Sequence, residues 1–247
     1  MDNPIRLHWL DPRDPQQPFP PPQRAMRDPN GLLAIGGDLS AERLLRAYTA
    51  GIFPWYNPDE PILWWCPDPR AVLFPKDFHV SRSLRKQLNN GGFALSCNRA
   101  FARVMQACAA PRSIGHGTWL GSDMQQAYLE LHRRGHAQSV EVWQDRELVG
   151  GVYGVSIGRM FFGESMFSVM ENGSKIALHF LCRQLTDWGY SLLDCQVASP
   201  HLASLGAVDI PRDEFLRHLG DATAKAGRTG PWQVDAGSTN ASRHLPP

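Results

Sequence analysis

Apolar residues recur along this chain at two spacings, and the spacing switches from segment to segment. SAERLLRAYTAG puts Leu44, Leu45 and Tyr48 on one face of a predicted helix, with Ser40 placed to cap its start and Gly51 to end it. Phe101, Val104, Met105 and Cys108 repeat the helical interval over residues 98 to 109. Ser122 and Gln125 form a capping-box pair that opens a helix expected to stop at Gly135. Alternation then takes over: QSVEVWQ, ELVGGVYGVSI and GRMFFGESMF read as three consecutive strands with short turns. Leu178, Leu181, Leu185 and Trp188 mark a helix closed by Gly189. LLDCQV reads as a further strand, and PHLASLG and PRDEFLRHLG as short helices.

Other stretches carry no period. Residues 11 to 31, rich in Pro, Asp and Gln, read as an extended lead-in. Six prolines from Pro54 to Pro75 forbid regular helix in GIFPWYNPDEPILWWCPDPRAVLF, which reads as an irregular, aromatic-rich connector. A domain boundary is expected near residue 70, giving a small N-terminal domain (1–69), a larger domain (70–232) and a disordered tail (233–247). Helices, a three-strand antiparallel meander, a helix and another strand make the fold class α+β, with an acyltransferase-like sheet.

Composition narrows the function classes. The chain is 43% hydrophobic and 20% charged, as globular proteins are, and no run of eighteen apolar residues marks a membrane span. The N-terminus lacks a charged-then-apolar signal pattern, so a cytoplasmic protein is expected. Five cysteines, an odd number without Cys-x-x-Cys spacing, read as free thiols rather than a disulfide framework or zinc ribbon. A net charge of +1 does not fit a polybasic DNA coater and leaves room only for a local basic patch.

Most candidate motifs yield to blander readings. Gly150, Gly151, Gly154 and Gly158 match no nucleotide-loop spacing and read as glycines that relieve crowding or mark bulges. Gly163-Glu164-Ser165 begins like a nucleophile elbow, but Phe167 stands where that elbow needs glycine. His132 and His136 are four apart with Gly135 between them, so they read as surface histidines rather than metal ligands. No acyl-CoA pyrophosphate cradle follows the meander. Trp64 and Trp65 read as packing residues, whereas Trp55 and Trp119 fit packing and base stacking equally. Arg82, Arg85 and Lys86, at i, i+3 and i+4, make one positive helix face that suits either solvent or phosphates. Asp194 and Gln196 share one side of the LLDCQV strand, opposite Leu193, Cys195 and Val197; that side faces either a polar pocket or water. Glu164 raises the sharpest question, because FFGESMFS surrounds a lone carboxylate with phenylalanines and methionine.

Ten ordered segments carry a resemblance: NGLLAIGGDLS, AYTAGIFPWYN, PILWWCPDPRAVL, GTWL, GHAQSVEVW, ELVGGVYGV, FFGESMFS, ENGSKIAL, LLDCQV and HLASLGAVDIPR. Together they cover most of residues 30 to 217, and the chain resembles the bacterial leucyl/phenylalanyl-tRNA–protein transferases. The resemblance implies a small N-terminal domain and an N-acetyltransferase-like (GNAT-like) C-terminal domain with a mainly antiparallel sheet. It implies transfer of Leu, Phe or, less well, Met from aminoacyl-tRNA to the N-terminal Lys or Arg of a protein, which marks that protein for degradation. Aminoacyl-tRNA is then a substrate, no cofactor or metal is implied, and neither DNA nor a membrane is a partner. By resemblance Asp194, Gln196 and Glu164 are the catalytic set, with Gln196 held by Asp194 and orienting the attacking amine. Asp194 and Glu164 would offer negative charge to the acceptor's cation. Phe161, Val152, Phe180, Leu181 and Ser165 would hold the donor amino acid. Trp55, Trp119 and Tyr48 would bracket the terminal adenosine, and Arg82, Arg85 and Lys86 would meet tRNA phosphates. Val152 stands where the family often has methionine, and Leu181 where an aromatic occurs. An acyl-CoA N-acyltransferase and a noncatalytic tRNA-binding module are the competing classes.

Overall fold

The computed structural model describes residues 7–110, 120–228 and 230–233. Trp119 and residues 234–247 of the expected tail lie outside them. Two sheets organise the chain. The N-terminal one has four strands in the order β1 (His8–Leu10), β2 (Leu32–Gly36), β4 (Leu63–Trp65), β3 (Phe53–Pro54). Helix α1 (Ala41–Thr49) lies between β2 and β3 in the chain; Ser40 caps it, its hydroxyl accepting from the Arg43 N–H. The stretch expected to be an irregular connector therefore contributes three short strands, two to this sheet and one, at Arg70–Leu73, to the larger sheet. Its prolines exclude helix but spare strand positions, and Pro54 itself closes β3. Trp64 is fully buried there, its indole N–H donating to the Gly36 carbonyl, as the packing reading requires.

The larger sheet has seven strands in the order β11 (Val208–Ile210), β5 (Arg70–Leu73), β10 (Leu192–Gln196), β9 (Met160–Ser168), β8 (Glu147–Ile157), β7 (Ala137–Gln144), β6 (Ala94–Cys97). All its pairings are antiparallel except β9 with β10. The meander β7–β8–β9 is the one the alternation predicts. β5, β6 and β11 are additions: each has three or four residues, too few to establish a period. β5, which begins at Arg70, is the first strand of this sheet in the chain.

Each face of the large sheet is covered. One face carries α5 (Gly173–Asp187) and α2 (Arg82–Asn90), packing Val140, Val152, Phe161 and Leu193 against Ile176, Phe180, Leu181 and Leu84. The other face meets α3 (Phe101–Ala109), α4 (Ser122–Arg133), α7 (Arg212–Thr223), α1 and the N-terminal sheet. Phe101, Val104, Met105 and Cys108 are the buried residues of α3, as their interval predicts. A short helix, α6 (Pro200–Ser204), joins β10 to β11.

Helix ends show where local rules gave way. The Ser122–Gln125 capping box does not form: Gly121 is the N-cap residue, Ser122 Oγ donates to Asp123, and Gln125 Nε2 donates to the Leu120 carbonyl. Gly135 does end α4, at φ +80°. Helix α3 starts on Ala100, which has no capping side chain, and buried Glu141 of β7 supplies the acceptor by taking the Ala100 N–H. Hydroxyls of Ser96 and Ser139 complete that carboxylate's shell, so Glu141 is a structural group. His132 stacks on Phe101 at 4.1 Å and its Nδ1–H donates to the Ala137 carbonyl, which occupies it structurally too.

Candidate active site

The site begins with a register shift. β8 pairs Tyr153 with Ser165 but Gly154 with Gly163, leaving Glu164 as the extra residue of a β-bulge. Gly154 permits it: a Cβ there would lie 2.1 Å from the Phe162 carbonyl oxygen. Replacing Gly154 with alanine is therefore expected to cost at least about 1–3 kcal/mol and to displace Glu164. Chemical denaturation and transfer activity check both parts.

Turned by the bulge, the Glu164 carboxylate meets two tyrosines from different helices. Oε1 accepts from the Tyr48 hydroxyl of α1 at 2.7 Å, and Oε2 from the Tyr128 hydroxyl of α4 at 2.6 Å. The two hydroxyls are 2.7 Å apart. Tyr128 extends the buried stripe Met124, Ala127 and Leu131, which fixes where its hydroxyl ends. Burial raises the Glu164 pKa from 4.5 to about 7, and nearby Asp194 adds to the rise; the hydrogen bonds from Tyr128, Tyr48 and Gln196 oppose it. The lone carboxylate in its apolar stretch thus has hydrogen-bond partners and, among the described residues, no cation paired with it.

A second wall comes from β10. It runs parallel to β9 only through Leu192–Met160, Leu193–Phe161 and Asp194–Phe162. Beyond that point the strands fork, and Gln196 Nε2 spans the opening to donate to Glu164 Oε1 at 2.9 Å. Gln196 has φ +64°, an uncommon backbone for a non-glycine residue. Asp194 holds it there, its Oδ1 accepting the Gln196 N–H at 2.9 Å. The expected pairing of Asp194 with Gln196 is present, through backbone rather than side chain.

Asp194 has a further partner that the sequence reading missed. Arg70, the first residue of β5, donates through Nε and Nη2 to the two Asp194 oxygens at 2.8 and 2.6 Å. Both side chains are fully buried. Phe53 of β3 and Phe215 of α7 flank the guanidinium at 4.8 and 4.4 Å. Asp194 was expected to offer its charge to an acceptor's cation, but Arg70 already takes up that charge, and the unpaired acid of the fork is Glu164.

The remaining expected residues fall into groups. Phe161, Val152, Phe180 and Leu181 all lie in the core beneath α5, at 1–4% exposure. Half-buried Met166 and Cys195 pack on that core, one on each arm of the fork. Ser165 is half-buried opposite Tyr153. Tyr48, expected beside the adenosine, is instead fully buried, with Phe162 5.0 Å from its ring; it presents no open face for stacking and acts on Glu164. Trp55 is 46% exposed, and Trp65 half-buried behind it donates its indole N–H to the Trp55 carbonyl. The loop after Trp55 reaches α4, Pro58 lying 3.4 Å from the Cβ position of Gly121. Arg82, Arg85 and Lys86 are exposed along α2, opposite buried Leu84, and line one hollow with Asn89 and Asn90. No cluster of metal-ligating side chains occurs among the described residues.

Comparisons with known proteins agree on one family. A model described as leucyl/phenylalanyl-tRNA protein transferase matches residues 72–220, and one for that protein's N-terminal domain matches residues 37–68. The chain is 56% identical over 213 residues to a leucyl/phenylalanyl-tRNA–protein transferase of Cellvibrio japonicus, spanning 86% of this chain and 90% of that one. Against its namesake in Azotobacter vinelandii it is 59% identical over 201 residues, covering 81% and 89% of the two chains. The Nitrosomonas europaea protein of that name is 55% identical over 218 residues, covering 88% and 92%.

Proposed function

The chain belongs to the leucyl/phenylalanyl-tRNA protein transferase family, and from that premise we propose that the fork between β9 and β10 is where an aminoacyl ester meets an acceptor amine. The protein is an aminoacyltransferase that moves Leu or Phe, and Met less well, from tRNA to the N-terminal Lys or Arg of acceptor proteins in the cytoplasm. One observation carries the reading of the site: the fork joins an acid, an amide and an apolar core at a single opening.

Aminolysis of an ester needs a neutral amine at attack distance and no cofactor, because the ester is already activated. Gln196, fixed by its backbone bond to Asp194, orients that amine; an amide is too weak a base for more. Glu164 supplies negative charge for the incoming ammonium. A half-buried carboxylate with no ion-pair partner among the described residues favours a positively charged acceptor, which fits an N-terminal Lys or Arg. The apolar core under α5, on which Met166 and Cys195 pack at the fork, suits a Leu or Phe side chain. Arg70 and Asp194 are positioning residues for Gln196. Exposed Trp55, together with Trp119, suits stacking on the terminal adenosine. The parallel fork within an otherwise antiparallel sheet supports an N-acetyltransferase-like domain over residues 70–232, with residues 1–69 as the N-terminal domain.

Transfer of labelled leucine from charged tRNA to a peptide beginning with arginine tests the reading. We expect ribonuclease-sensitive product. Folded protein that forms none, or that uses acyl-CoA with ribonuclease present, overturns it. Replacing Arg82, Arg85 and Lys86 together with alanine should raise the KM for charged tRNA and flatten its salt dependence by about 0.7–0.9 in log–log slope per lost phosphate contact. The Leu-to-Phe preference should not change, because phosphate contacts read no amino acid. An unchanged salt slope removes α2 from the RNA path.

A further inference from the structure

Two phenols and one carboxyl group make every contact they can make with one another. Tyr48 meets Glu164 Oε1 at 2.7 Å, Tyr128 meets Oε2 at 2.6 Å, and the hydroxyls meet each other at 2.7 Å. Each phenol has one proton and each contact needs one. With Glu164 ionised, two protons serve three contacts. With Glu164 protonated the set closes: Oε2–H donates to Tyr128, Tyr128 to Tyr48, and Tyr48 to Oε1. Both tyrosines are fully buried, so water does not complete the count for them. Glu164 is only half-buried. Oε1 already accepts from Tyr48 and Gln196, whereas Oε2 accepts from Tyr128 alone among the described residues. A carboxylate oxygen has two lone pairs, so Oε2 keeps one for a donor arriving in the fork.

Resting on the transfer reaction proposed above, we propose that Glu164 carries the proton of that reaction, and that Tyr48 and Tyr128 position it, giving each oxygen of the carboxylate a donor and the carboxylic acid a closed ring. The amine nitrogen attacks the ester carbonyl and its N–H proton passes to Oε2. The C–N bond forms, the ester C–O bond breaks, and the O–H of Glu164 delivers its proton to the departing ribose oxygen. Glu164 ends ionised, as it began, and no other reactant is consumed. Turning about the C–O bond from the fork to Tyr128, the Oε2–H adds the third bond of the ring; turned back to the fork, it leaves for the ribose oxygen and two phenol donors return to the carboxylate. That balance is what a group needs to accept and release a proton in one turnover. The other groups around Glu164 are Asp194 on β10, paired with Arg70 of β5, the amide of Gln196, and Tyr153 on β8, whose phenol burial pushes well up.

Tyr48→Phe and Tyr128→Phe keep the buried rings and delete one member of the circuit each. The carboxyl C=O infrared band of free enzyme, assigned by its loss in Glu164→Gln, should titrate near pH 7 in the natural protein and about one pH unit higher in each phenylalanine variant, because the charge-assisted bond lost from the carboxylate outweighs the neutral bonds lost from the acid. The acid limb of kcat for leucine transfer should move upward with it, while the KM for charged tRNA changes by less than about threefold. An unmoved band and limb overturn the proposal, as does a raised tRNA KM with an unmoved limb, which returns Tyr48 to adenosine binding. A natural protein that moves no leucine overturns the transfer reading instead, while the band titration of the free enzyme still stands or falls by itself.

Discussion

Asp194→Ala will unfold about 3–5 kcal/mol more easily than the natural protein. The cause is the partner left behind. Arg70 is fully buried between two phenylalanine rings, and without Asp194 its guanidinium has no counter-charge. The second loss is local: the Gln196 N–H loses its acceptor, and a non-glycine residue at φ +64° loses its restraint. Two variants separate these effects. Asp194→Leu combined with Arg70→Met should regain most of the stability, because a buried ion pair adds little over well-packed apolar residues. It should not regain activity, because nothing then holds Gln196. Urea unfolding of the three proteins decides the matter. A single variant within about 1 kcal/mol of the natural protein would show that the pair is not closed as described.

Glu164→Gln will lower the rate of transfer by about 10²–10⁴-fold, the span expected for loss of a proton-transferring group. Charged tRNA should bind it normally, because the proposed site sets Glu164 against the amine and not the phosphates. Its stability should move the other way. In the folded protein the Glu164 pKa is raised from 4.5 to about 7, so the folded state holds a proton that the unfolded chain has released. Stability therefore falls as pH rises through that interval and stays reduced above it. Glutamine removes this loss, so the variant should melt higher than the natural protein at pH 8 and alike at pH 4. A melting temperature lowered equally at both pH values would mean that the carboxylate does not titrate as its surroundings require.

Much of this was legible in the residues, for physical reasons that can be named. The meander was readable because β7, β8 and β9 are long enough for alternation to repeat. Helix α5 was readable from Leu178, Leu181 and Leu185 and the glycine after it. Leu193 and Cys195 do face away from Asp194, as period two demands. What escaped was set by tertiary contact. β5 is four residues long, and its role depends on an aspartate 124 positions later. A signal for Arg70 was present even so: one arginine opening an apolar strand that is buried throughout needs an anion. Tyr128 had a similar signal, a hydroxyl on the buried stripe of α4. The bulge at Glu164 had none, because two-against-one pairing with β8 shows only when the strands are laid side by side. The bond from Tyr48 to Glu164 had no signal either, since the residue's interval fixes a helix face but not what the hydroxyl reaches.

The central claim is that the β9–β10 fork brings an aminoacyl ester and an amine together. A crystal structure with a hydrolysis-resistant analogue, phenylalanine joined by an amide to the 3′ position of adenosine, tests it most directly. The phenylalanine ring should lie against the core under α5, the carbonyl carbon within about 4 Å of the Glu164 and Gln196 side chains, and the adenine on Trp55. An analogue bound with its carbonyl outside the fork, while the enzyme is inhibited by it, would contradict the account.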